Sequence, residues 1–103
     1  MLSAIDKIDI IVGDDDPGMY LCVEQGEWNH PRAAWYLQEK LNAYLSFGLD
    51  GEWQRQYSDR PRHITVLYHE PPPDGIKRLL EKMASTVASE IEIRQERQQA
   101  AAA

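Results

Sequence analysis

The sequence holds a single cysteine, Cys22, so it can close no disulfide within itself. It holds no run approaching the ~18 apolar residues of a membrane span, and its opening residues, MLSAIDKIDI, lack the basic and apolar regions of a secretory leader. A soluble, cytoplasmic domain with no membrane contact is expected. Basic residues are in deficit: 11 Lys and Arg stand against 17 Asp and Glu, a net charge of −6. That balance repels phosphate backbones, so no nucleic acid partner is expected, and it favours a basic protein partner through long-range steering. The glycines, at positions 13, 18, 26, 48, 51 and 75, form neither a Walker loop nor a dinucleotide fingerprint. There is no G-x-S-x-G elbow, no C-x-x-C and no H-E-x-x-H. On these absences no cofactor, metal site or catalytic residue is assigned.

What is present is a globular composition, 43% hydrophobic and 27% charged over 103 residues, long enough for one core without a metal or disulfide staple. One domain over residues 1–95 is expected, followed by a frayed tail over 96–103. KIDIIV and MYLCVE are β-branched or aromatic and are joined by GDDDPG, the pattern of a hairpin. WNHPRAAWYLQEKLNAYLSFG places Pro31 at a first-turn position, with His30 or Asn29 as cap and Gly48 as terminator. At about 100° per residue, Ala34, Leu37, Leu41, Tyr44 and Leu45 form its core stripe. Residues 49–62 read as a long connection carrying Leu49, Trp53 and Tyr57. HITVLYHE alternates as a third strand. After PPPDG, where Asp74 can cap, IKRLLEKMASTVAS is a second amphipathic helix, and EIEIR is a short fourth strand.

The order ββαβαβ, with right-handed crossovers, predicts an α+β two-layer sandwich: one four-stranded mixed sheet with two helices on one face. The simplest strand order is 2-1-3-4, leaving strand 2 as an exposed edge. The expected core is Ile8, Ile10, Leu37, Leu41, Leu45, Ile64, Val66, Leu79, Met83 and Val87.

Three aspartates in succession, Asp14 to Asp16, invite a calcium reading, but the spacing fails. From Asp14, position 6 is Met19 and position 12 is Gln25, where an EF-hand needs Gly and Glu. Each residue of the stretch has a turn role instead. His63 and His69 lie six residues apart on one strand face, roughly 20 Å, too far to share an ion. As a general base, His69 beside Glu70 is the best available pair, against the more frequent reading of a solvent-facing strand histidine. Cys22 sits inside an apolar strand, which favours an inert thiol. RQYSDRPRH, with Arg55, Arg60, Arg62 and Tyr57, reads as a surface loop balancing acidic surroundings. The first helix carries a second row, Tyr36, Lys40, Ala43 and Phe47, with Trp35 rotated further away. Either the 49–60 connection folds over these aromatics, or Trp35, Tyr36 and Phe47 form a protein interface.

KIDIIV, the acidic-Trp segment, the helix LQEKLNAY and the following GE resemble an uncharacterised bacterial domain-of-unknown-function family with a W…LQEKLN-x-Y…GE pattern. The likeness spans roughly residues 5 to 95, with Trp28, Leu37, Gln38, Leu41, Asn42, Tyr44 and Glu52 on the pattern. It implies a bacterial origin and no known activity, and it carries over no functional residue. Two function classes therefore stand open: an acidic protein-interaction domain that self-associates through the strand 2 edge or binds another protein, and a small enzyme using His69 and Glu70.

Overall fold

A computed structural model describes residues 1–13, 15–57 and 59–98. Four strands, β1 (Ile10–Val12), β2 (Gly18–Val23), β3 (His63–Tyr68) and β4 (Glu92–Arg97), form one mixed sheet. Three helices accompany them: α1 (Ala33–Leu49), the short α2 (Glu52–Gln56) and α3 (Asp74–Val87), with a 3-10 turn at Glu27–Asn29. The expected α+β sandwich is the observed architecture, but the strand order is β1-β2-β3-β4. β1 and β2 are antiparallel, while β2, β3 and β4 run parallel. The order 2-1-3-4 is therefore corrected. β2 is interior, so self-association through a strand 2 edge is withdrawn; the outer strands are β1 and β4.

Register assigns the two faces. Met19, Leu21 and Val23 alternate along β2 with Ile64 and Val66 opposite on β3, and all are buried beneath Leu37 and Leu41 of α1 and Leu80 of α3. Because Ile11 pairs with Met19, it takes the helix side, and Ile10 turns to the open face at 45% exposure. The expectation of Ile10 in the core fails by that one residue. Leu37, Leu41, Ile64 and Val66 are fully buried; Ile8, Leu45, Met83 and Val87 pack partly buried on the core, and Leu79 is half-buried.

In α1 the inward face is Ala33, Leu37, Lys40, Leu41, Tyr44 and Gly48, while Ala34 is exposed. Gly48 does not end the helix. A Cβ there would stand 2.9 Å from Met19 Cε and 3.3 Å from Pro61 Cγ, so this glycine lets α1 approach the sheet. The chain turns instead at Gly51, whose φ of 105° is the left-handed region a side chain disfavours. α2 then buries Trp53 completely, with its indole N–H donating to the Asp59 carbonyl. The connection is thus a short helix and a core anchor. Arg32 and Pro73 occupy the assigned cap positions without a side-chain bond, and among the described residues Asn29 and Asp74 make none either, while the His30 ring accepts the Arg32 N–H at 3.0 Å ahead of α1. β4 begins two residues later than EIEIR and runs to Arg97, into the segment expected to fray, because its parallel register with β3 continues to the pair Tyr68–Arg97. Residues 99–103 of the expected tail lie outside the described residues.

The segment before β1 is fastened by a buried ion pair. Lys40, at 0% exposure, donates to Asp9 Oδ1 at 3.0 Å and to the Met1 carbonyl at 2.6 Å. Asp9 Oδ2 accepts the Cys22 N–H at 2.8 Å. The Tyr44 hydroxyl enters the same seam, accepting the Asp9 N–H at 2.8 Å and donating to the Tyr20 carbonyl at 3.1 Å. Where β1 peels away from β2, side chains thus complete the ladder that backbone would otherwise supply. Burial pushes the Tyr44 hydroxyl pKa well above its ordinary value.

Candidate functional site

The three aromatics singled out on α1 divide between its ends. Trp35 and Tyr36 lie together on the first turns; Trp35 is 42% exposed and Tyr36 half-buried. Their rings meet edge-on, with centroids 5.6 Å apart. The Arg32 guanidinium sits 4.4 Å above the Trp35 ring and 5.8 Å from that of Tyr36, and the His30 ring lies 5.1 Å from Tyr36. The Arg32 N–H donates to His30 Nδ1 at 3.0 Å, which fixes the approach of the chain into the helix and hence the stack. Beside this stack opens a cleft of about 600 Å³, lined by His30 and Tyr36 together with Leu2, Gly26, Glu27 and Asn29. Its wall is braced by Glu27, whose carboxylate accepts the N–H groups of Leu2 at 2.8 Å and Glu24 at 2.7 Å. Phe47 sits twelve residues on from Trp35, roughly 18 Å along the helix at 1.5 Å per residue, and packs edge-on against Trp53 at 6.3 Å. The connection therefore covers Phe47 and leaves Trp35 open.

A second cluster occupies the sheet face opposite the helices, at the start of the parallel strands. His63 and Thr65, each 1% exposed, are linked by a 2.7 Å bond between His63 Nδ1 and Thr65 Oγ1. His63 Nε2 lies 3.2 Å from the Asp16 carbonyl, so it carries the proton and donates there. Arg94 Nη1 reaches Asp16 Oδ2 at 2.7 Å, and its Nε bonds Glu92. The Arg94 hydrogen bond holds the Asp16 carboxyl below its ordinary value, and the same contact raises the Arg94 guanidinium. Gly18 makes room for the ring: a Cβ there would lie 2.5 Å from His63 Cδ2. In residue types this is an alcohol, an imidazole and a carboxylate in series. Geometrically it is closed, since the Thr65 hydroxyl is buried, and what the chain does here is tie the hairpin turn to β3 and β4.

Asp15 and Asp16 are exposed in a bend, with Asp16 an anchor for Arg94, and Asp14 lies outside the described residues. His69 is half-buried and Glu70 exposed at the end of β3, and their carbonyls accept Arg97 Nε at 3.2 Å and Trp28 Nε1 at 2.8 Å. Among the described residues their side chains make no hydrogen bond to each other. Cys22 is half-buried, and burial, reinforced by the Asp9 carboxylate, pushes its thiol up. Arg60 and Arg62 line a cleft of about 690 Å³ shared with Asp15, Asp59, Glu90 and Glu92, while Arg55 pairs with Glu52 at 3.0 Å. Among the described residues no three His, Cys, Asp or Glu side chains converge as a metal would require, and no helix is long and apolar enough to cross a membrane. Sequence reasoning missed Lys40 and His63 as buried polar anchors. The available signal for Lys40 was its spacing, three residues from Leu37 and four from Tyr44, which puts it on the inward face.

Fold and side chains together define a small α+β sandwich with an exposed Trp35 at the head of α1 and, among the described residues, no buried side-chain polar atom without a partner. The chain belongs to the family of unknown function DUF6572, whose model matches residues 1–99. No curated protein and no solved structure matches it.

Proposed function

We propose that this domain acts by binding another protein, without catalysis, and that the contact is made by the head of α1. The observation that carries this reading is the exposed indole of Trp35, held between Arg32 and Tyr36, the latter also lining the neighbouring cleft. Trp, Tyr and Arg are the residue types that dominate binding energy at interface centres. Here they are already stacked, which lowers the ordering cost on docking. The net charge of −6 supports a partner of opposite overall charge, drawn in by long-range attraction and anchored by an apolar or aromatic side chain in the cleft. The cytoplasm of a bacterial cell is the expected setting.

The test is a photo-crosslinking residue placed at position 35, and separately at the exposed Asn42 on the same helix, in the native organism. One dominant protein adduct from position 35 and none from position 42 is expected. Equal labelling from both positions, or none from 35, contradicts the assignment.

A further inference from the structure

We propose that the chain forms a two-fold dimer through the outer edge of β4, joining the sheets of two copies into one. Among the described residues β4 pairs on one side only, with β3. Its phase is fixed at both ends: the Glu92 N–H donates to the Arg62 carbonyl at 3.1 Å and the Gln98 N–H to the Tyr68 carbonyl at 2.6 Å. In a regular strand the residues between alternate, so the N–H and C=O groups of Ile93, Gln95 and Arg97 point away from β3. The strand has six residues and no proline, and its charged side chains, Glu92, Arg94, Glu96 and Arg97, carry both signs, so they can pair with those of a second copy rather than repel it. The opposite edge is less suited, because β1 has three residues and the segment before it is held by Tyr44 and Lys40.

The occupant is identified by register and charge. A two-fold axis perpendicular to the sheet keeps both helix layers on one side and pairs the strands antiparallel. Centred on Gln95, it sets Gln95 against its own copy and Ile93 against Arg97, so every outward-pointing backbone group finds a partner. The same register puts Arg94 of each copy opposite Glu96 of the other, in the closely spaced pairs where side chains interact most. Centring one residue away sets Arg94 against Arg94 or Glu96 against Glu96. Hydrogen-bond phase and charge thus select one register. Arg94 keeps Nη2 for this contact, since Nη1 goes to Asp16 and Nε to Glu92. Because α3 packs on β4, the axis also brings the two copies of α3 side by side, adding helix contact to the strand pairing.

The experiment is sedimentation of the full chain over a concentration series, with circular dichroism to monitor folding. The parent protein is expected to dimerise, less so at high salt. Gln95→Pro removes an outward N–H and leaves the β3 ladder, which uses residues 94 and 96, intact; it should be a folded monomer. Glu96→Arg faces Arg94 with a like charge and should weaken association at least about tenfold. In a Cys22→Ser background, Gln95→Cys should give an oxidised dimer and Arg97→Cys should not. A parent protein that stays monomeric, a folded Gln95→Pro that stays dimeric, or cross-linking from position 97 rather than 95 overturns the proposal. Should Gln95→Pro fail to fold, the Glu96→Arg and cysteine results decide it.

Discussion

Replacing Lys40 by methionine keeps an unbranched chain of similar length in the core and deletes only the ammonium. Asp9, 17% exposed, is then left with the Cys22 N–H as its firm partner, and the Met1 carbonyl loses its 2.6 Å donor. Breaking a fully buried pair from one side costs about 3–5 kcal/mol. The retained Cys22 bond and the partial access of water to Asp9 bring the expected loss to about 2–3 kcal/mol. Against the ~5–15 kcal/mol of a domain this size, that is a large fraction of the whole. Asp9→Asn alone strands an ammonium at 0% exposure and should cost at least as much. Combined with Lys40→Met it removes both charges, so the double variant should recover most of one single loss. Urea denaturation of the four proteins measures the cycle. A Lys40→Met protein within about 0.5 kcal/mol of the parent, or strictly additive losses, would refute the coupling.

Gly18→Ala forces a Cβ to 2.5 Å from both the His63 ring and its carbonyl oxygen, so a loss of about 1–3 kcal/mol is expected in the same assay; an unchanged midpoint means that β2 and β3 are not so close. Arg94→Leu should raise the Asp16 pKa toward its ordinary 3.8 in a carboxyl NMR titration. In the parent the lowered value means that this contact stabilises the fold above that range and is lost as pH falls through it; an unmoved Asp16 contradicts the contact. Because the Cys22 thiol lies above its ordinary 9.0, its thiolate is scarcer at pH 8, and alkylation should be slower in the folded chain than in urea. The opposite order of rates would count against a packed thiol.

The elements that the sequence declares by periodicity, β3 and α3 above all, stand where the pattern puts them. What it concealed has a common cause. The strand order turns on which edge of the hairpin accepts β3, and the alternation of IDIIV and MYLCV looks alike from either side. Ile10 and Ile11 are equivalent in composition, and only pairing with Met19 decides which faces inward. Lys40 reads as surface because a buried lysine needs a carboxylate brought from Asp9, thirty-one residues away in the chain. His63 reads as solvent-facing because its cover comes from the aspartate turn and from Arg94, contacts that no local window contains. For the aromatics the helical wheel separates Trp35 from the core correctly, and the division between an open Trp35 and a covered Phe47 depends on where Trp53 docks.

The most direct test of the interaction reading is titration calorimetry of the protein captured from position 35 against the parent domain, Trp35→Ala and Asn42→Ala. Trp35 is 42% exposed and stands outside the core cluster, so its removal should leave urea stability within about 0.5 kcal/mol of the parent. A central tryptophan typically carries 2 kcal/mol or more of binding energy, so affinity should fall about thirtyfold with Trp35→Ala and stay within about twofold with Asn42→Ala. Equal affinity for all three proteins contradicts the assignment of the head of α1 as the docking surface.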